Sequence, residues 1–264
     1  MSKKIEEKPK TNAPLLIIGA VLVLAVFIGL GMNACSSATP GPNGTPGSTP
    51  KPSATQSKVI PDGAAPGANP PNAFGSPAAQ VKVEEFADFQ CPQCGAKHSV
   101  MNEIKSLYGS RIYFIYRNFP LSIPAHDKSY EAAVAAEAAG MQGKFWDMQN
   151  MLFTNQQAWT ASPTYKQIWK DYATKIGLDV NKWETDIAGL PAKSRVDQDL
   201  ARGRSFGVNS TPSVFINNNA VDFKDMTVDG MKAIIDAELA KSSGNKTAPA
   251  APPANSNSAN TGTK

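Results

Sequence analysis

The stretch Cys91-Pro92-Gln93-Cys94 constrains this chain more than any other, because it spaces two thiols by one helical turn directly after a strand-like run at 81–86. A sulfur placed where a helix begins faces backbone N–H groups that lack intrahelical partners and the positive end of the helix dipole. Both lower a thiol's pKa and make it reactive near neutral pH. Pro92 fits that first turn, since its missing N–H would have had no partner there. Cys91 is therefore expected to be the exposed attacking thiol and Cys94, one turn deeper, the resolving thiol of a redox-active disulfide that opens and closes.

Two other uses of such a pair weigh less. A structural zinc takes four ligands, whereas Cys91, Cys94 and His98 supply three and the chain has no second cysteine pair. An inert disulfide closing so small a loop does little to constrain the unfolded chain. The residues point to redox chemistry carried by side chains alone, with no metal and no cofactor.

The rest of the chain is uneven in composition. Residues 15–32 form an unbroken apolar run of eighteen, about what a helix needs to cross the hydrocarbon core. Lys3, Lys4, Lys8 and Lys10 precede the run and no charged residue follows it until Lys51, so the basic end belongs inside and the remainder is exported. The expectation is a cytoplasmic tail at 1–14, a transmembrane signal-anchor at 15–34 and a domain on the periplasmic or cell-wall side. A cleaved export signal shares the basic-then-apolar order, and Cys35 could carry a lipid as in bacterial lipoproteins.

Residues 36–79 hold ten Pro and six Gly among small residues, too little apolar surface to fold alone. A disordered linker is expected over 35–71 and a similar tail over 243–264. That leaves a folded domain at 72–242, long enough to bury a core without disulfide staples. The net charge of +4 comes without a basic stripe interleaved with aromatics, which argues against a nucleic-acid partner.

Within that domain, 81–86 reads as a strand carrying one special polar group, for which Glu85 is the candidate, and 91–107 as an amphipathic helix that Gly109 ends. Residues 111–117 form a second strand stopped by Pro120. A helical insertion follows over about 120–190: an Ala-rich helix at 129–140, another at 145–153, one opened by Ser162 as N-cap with Pro163 at its first position, and a short one capped by Asp179. Residues 191–206 add one more helix. Residues 213–217 return to strand and turn at Asn218-Asn219 into a hairpin, and Thr227 caps a last helix to about Lys241. His98 reads as helix surface or core, His126 as a cap or core residue, and Asp88 as local turn chemistry.

Three segments make the chain resemble the DsbA-type branch of the thioredoxin superfamily, the exported thiol–disulfide oxidoreductases. They are Glu85 to Cys94, Phe145-Trp146-Asp147-Met148, and Gly207 to Asn217 with its Thr211-Pro212. The resemblance covers roughly residues 72–241 and implies an α/β, thioredoxin-like fold with an inserted α-helical subdomain. In this chain that fold would follow one transmembrane helix and a disordered linker.

The resemblance also implies roles. Pro212 matches the family's cis-proline beside the dithiol, and Thr211 would offer backbone groups to a passing substrate strand. Glu85 matches a buried acid whose raised pKa lets it exchange a proton with Cys94. Gln93 departs from the best-known oxidants, where a histidine adds positive charge; less thiolate stabilisation places the potential between roughly −120 and −270 mV. The implied protein is a monomeric, membrane-anchored oxidase of exported proteins with cysteine thiols, reset by a membrane redox partner. A reductase or isomerase using the same dithiol, and a non-catalytic peptide-binding module, stand as alternatives.

Overall fold

The computed structural model describes residue 59 and residues 61–244, with side chains to Lys241. The expected tail at 1–14, the span at 15–34, Cys35, most of the linker and the end of the chain lie outside the described residues. Among the described residues no helix is long and apolar enough to cross a membrane.

Five strands form one sheet in the order β1-β3-β2-β4-β5: β1 (Asn72–Gly75), β2 (Val81–Ala87), β3 (Ile112–Asn118), β4 (Ser213–Ile216) and β5 (Asn219–Ala220). β2 is central, parallel to β3 and antiparallel to β4, so Glu85 lies opposite Tyr116 on one side and Val214 on the other. Between β2 and β3 runs α1 (Pro92–Tyr108). Between β3 and β4 lie α2 (Ser129–Gly140), α3 (Phe145–Thr154), α4 (Gln156–Thr160), α5 (Tyr165–Lys175), α6 (Val180–Ala188) and α7 (Leu190–Ser205); α8 (Val228–Gly244) follows the hairpin. This is the α/β architecture with inserted helices that the sequence leads one to expect.

Both faces of the sheet are covered, which is why β2 does not alternate polar with apolar. On one side Val81, Val83 and Phe114 pack with Met101 and Ile104 of α1 and with Met231 and Ile235 of α8. On the other, Phe86 meets Phe119, Phe206 and Phe215 edge-on, and the insert closes over them. Burying each such side chain contributes about 1.5–3 kcal/mol. α2 is alanine-rich because it is buried along nearly its whole length, between α3, α6 and α7. Gly203 lets α7 press on Phe119, since a Cβ there would lie 2.4 Å from the ring.

Several boundaries differ from the sequence-based expectation. The folded unit reaches back to 61 rather than 72: Arg117 donates to the carbonyls of Ala68 (2.9 Å) and Pro66 (3.3 Å), Arg202 to that of Ala65 (2.8 Å) and Arg195 to that of Pro70 (2.9 Å). The segment has little to bury by itself, and it is held by charged donors reaching out from the domain. Residues 72–75, taken as the domain's edge, pair as a strand with β3. Helix α5 begins at Tyr165, and Ser162 accepts the Thr164 N–H at 3.0 Å in a turn before it instead of capping it. Asp179 does cap α6, accepting from Lys182 N at 3.0 Å, and Thr227 accepts from Gly230 N at 3.1 Å.

Candidate dithiol site

Cys91 is the N-cap of α1, in extended conformation, with Pro92 at the first helical position. Both Cys91 and Cys94 are thiols here. Their environments pull them apart. A hydrogen bond from the Cys94 thiol, opposed by partial burial and helped by the Thr211 side chain and the backbone N–H groups of Cys94 and Gln93, brings Cys91 down from 9.0 to about 5. Burial first, then the hydrogen bond and charge of Cys91, push Cys94 well above its ordinary value. Near neutral pH the pair is one thiolate and one thiol, and the hydrogen bond from Cys94 contributes more to this than the helix-start N–H groups.

Cys91 is less open than expected, with 6 % of its surface exposed. The cover is the loop before β4: Cys91 Sγ donates to the Thr211 carbonyl at 3.2 Å, and the Thr211–Pro212 peptide is cis. Thr211 and Pro212 are therefore brought against the sulfur. Beside them opens a cleft of about 480 Å³ walled by Gln93, Ser210, Val221, Phe223 and Met226, with Phe223 half exposed.

Glu85 is buried under the sheet, and burial raises its carboxyl to about 7, against the pull of Lys105 from α1. Lys105 is lowered to about 8, again by burial first. Its ammonium lies 4.1 Å from the centre of the Trp146 ring. Tyr116, buried with no partner for its hydroxyl, has its ionisation opposed by burial and then by the charges of Glu85 and Cys94, so these groups share one buried region. Glu84 is equally buried on the other face. Burial pushes its carboxyl up, yet Arg202 and Arg117 outweigh this and hold it below the usual carboxylate range.

Sequence reasoning missed how the insert grips the dithiol loop. Asp88 does more than shape a turn: its carboxylate accepts from Gln90 N (2.7 Å), Leu121 N (2.8 Å) and the Ser129 hydroxyl (2.5 Å), and pairs with His126 at 2.7 Å. His98 is turned to Asn150 and Asn102, each at 3.0 Å, away from any shared ligand set with the cysteines. Gln156 donates to the carbonyls of Phe89 (2.7 Å) and Cys91 (2.9 Å). No local signal marks Gln156 or Lys105, because each acts across more than ten residues of chain.

A family model described as Thioredoxin matches residues 68–237. Solved structures share the fold: BdbD from Bacillus subtilis, oxidised, is 22% identical with TM-score 0.54 over 67% of this chain and 98% of its own. The structure of alpha-DsbA1 from Wolbachia pipientis is 18% identical with TM-score 0.55 over 65% and 92%. A thioredoxin-like oxidoreductase from Silicibacter pomeroyi is 22% identical with TM-score 0.52 over 64% and 92%. Among curated sequences, Na(+)/H(+) antiporters NhaA 1 from Mycolicibacterium gilvum and Mycobacterium sp. (strain KMS) are 33% and 34% identical over 145 residues. Those matches cover 54% of this chain and only 22% and 23% of theirs, so it spans about a fifth of those relatives and antiport remains a property of the longer proteins.

Proposed function

The chain belongs to the thioredoxin family, and on that premise we propose that it is a membrane-tethered, outward-facing thiol–disulfide oxidoreductase that oxidises substrate dithiols through Cys91 and Cys94. The observation that carries the reading is the split between a Cys91 thiol brought down to about 5 and a Cys94 thiol pushed far up, beside the Thr211–Pro212 loop.

In the oxidised protein a substrate thiolate attacks Cys91 Sγ. A substrate–Cys91 bond forms, the Cys91–Cys94 bond breaks, and Cys94 leaves with the electron pair and takes up a proton. A second substrate thiolate attacks the substrate sulfur of the mixed disulfide, and Cys91 departs as thiolate. The substrate loses two electrons and two protons; the protein keeps both electrons and one proton on Cys94, and the other proton goes to solvent. Glu85, held about 7, is the group proposed to pass the Cys94 proton in each direction. The edge of residues 210–212 receives the substrate backbone, and a membrane oxidase taking two electrons from Cys91 and Cys94 resets the pair.

A stabilised thiolate favours the reduced form, which is what makes a dithiol protein an oxidant. At about 5, Cys91 sits between the reactive cysteines of DsbA, about 3.5, and thioredoxin, about 7. That supports an oxidant weaker than DsbA, consistent with an uncharged Gln93. Equilibration with glutathione buffers tests it: a midpoint well above about −250 mV is expected, and a value at or below that assigns the dithiol to a reductase. Cys94→Ser protein should accumulate mixed disulfides through Cys91; their absence from an otherwise folded protein would leave only a binding module.

A further inference from the structure

α4 is only five residues long, and its first residue is the one that touches the dithiol loop. The fully buried Trp159 fixes the helix, its indole N–H donating to Leu152 O at 2.8 Å. From that anchor the Gln156 amide nitrogen reaches two carbonyls, Phe89 O at 2.7 Å and Cys91 O at 2.9 Å, which bracket the turn from β2 into α1. The Cys91 carbonyl also accepts the first helical bond, from Gly95 N at 3.1 Å. The space Gln156 occupies exists because residue 95 is glycine: a Cβ there would lie 2.5 Å from Gln156 Oε1.

We propose that Gln156 is a positioning residue for thiol–disulfide exchange at Cys91, its amide locking the two carbonyls that flank the sulfur so that the turn's N–H groups stay aimed at it. The assignment deepens the oxidoreductase function proposed above and rests on it. The physics is local. Without the amide, the Phe89 carbonyl would lose its side-chain donor and the Cys91 carbonyl would keep only its helical bond from Gly95, so the turn that carries the sulfur could shift against the N–H groups of Gln93 and Cys94 that favour its ionisation. An amide donor shared by both carbonyls opposes that shift, and it belongs to the inserted helices, so the insert takes part in setting reactivity as well as covering the site.

The test uses the full chain and the variants Gln156→Ala, Gln156→Glu, Gly95→Ala and the Gly95→Ala/Gln156→Ala pair. Two quantities are read: the thiolate titration of Cys91, by absorbance and by the pH dependence of alkylation, and the equilibrium constant with glutathione. Gln156→Ala should make the protein a roughly three- to tenfold weaker oxidant, the scale of one net hydrogen bond, with the thiolate midpoint rising in step. Gln156→Glu, which lacks the donor and adds an anion beside the carbonyls, should exceed it. Gly95→Ala should act by displacing the amide, so the pair should be no worse than Gln156→Ala alone. Thiolate midpoints equal to the parent's, additive effects in the pair, or lower thermal midpoints with unmoved titrations would each overturn the assignment. A parent that exchanges with glutathione beside variants that match it sinks this inference alone. A parent that does not exchange, with the titrations still moving in the stated order, sinks the oxidoreductase function and leaves Gln156 as the group that tunes the sulfur.

Discussion

Cys91 Sγ lies 3.2 Å from the carbonyl oxygen of Thr211, so the ionising sulfur and the peptide before Pro212 share one contact. In the thiol the sulfur donates to that carbonyl. In the thiolate and in the disulfide it cannot, which leaves the carbonyl free to accept from a backbone N–H of the strand proposed above to bind there.

The Thr211 hydroxyl gives the first prediction. It is buried without a hydrogen-bond partner, yet the side chain favours Cys91 ionisation. Thr211→Val keeps the shape and removes an unsatisfied polar atom. We expect it to raise the thiolate midpoint of Cys91, and because a less stabilised thiolate weakens the folded reduced protein near neutral pH, to show its gain of about 1 kcal/mol in urea unfolding in the disulfide form. A destabilised disulfide form would mean that the hydroxyl has a partner.

Reduced and oxidised protein should respond differently to acid. Cys91 ionises at about 5 in the folded chain against 9.0 as its ordinary value. Between those pH values the unfolded state holds the extra proton, so the stability of the reduced form rises with pH, by at most about 1.4 kcal/mol per pH unit from this group. It is lost as pH falls through about 5, and the disulfide form lacks the effect. Urea unfolding of both forms from pH 5.5 to 8.5 checks this; parallel curves would refute the lowered pKa.

Glu85 has the opposite sign. Its carboxyl is raised from 4.5 to about 7, so in that window the native state holds more protons and stability falls as pH rises. Lys105, lowered from 10.5 to about 8, adds stability only as pH climbs through that upper window. Glu85→Gln should remove the decline between pH 4.5 and 7. It should also slow reoxidation of the reduced protein at pH 7 by on the order of 10²-fold, because Cys94 loses its proton acceptor. Stopped-flow reoxidation with glutathione disulfide measures the rate, and an unaffected rate would remove Glu85 from the chemistry.

The reactive end of this site was legible because its signals are local. A strand, a helix start and two cysteines one turn apart fall within a dozen residues, and Thr211-Pro212 is a recognisable dipeptide. Which of the adjacent glutamates is buried was not legible, since alternation along β2 decides nothing in a strand covered on both faces: Glu84 and Glu85 are both inside, one held by two guanidiniums and the other desolvated beside Lys105. The N-terminal limit at 72 failed for a related reason. Residues 61–71 have the composition of a tether, and what orders them is arginine side chains supplied by β3 and α7, far along the chain. Gln156 was invisible because a lone glutamine on a five-residue helix carries no periodicity.

That clasp of charges yields the last prediction. Arg117 joins Glu84 at 2.8 Å and Asp199 at 2.9 Å while donating to Ala68 O, and Asp199 in turn accepts from Ala68 N at 2.9 Å. All three side chains are almost wholly buried. Arg202 also pairs with Glu84, so Glu84→Ala leaves two guanidiniums facing one carboxylate and should cost about 3–5 kcal/mol. Replacing Glu84, Arg117 and Asp199 together by Leu, Met and Asn should cost less, because the charge left without its partner is that of Arg202, the most exposed of the four, yet it removes the donor that holds residues 66–68. Limited proteolysis should then cut at 61–71 in the triple variant while Cys91 titrates as in the parent, Glu84 and Glu85 lying on opposite faces of β2. If the triple variant is no more stable than Glu84→Ala, the network is not held together by charge compensation; if its N-terminal segment resists cleavage, Arg117 is not what fastens it.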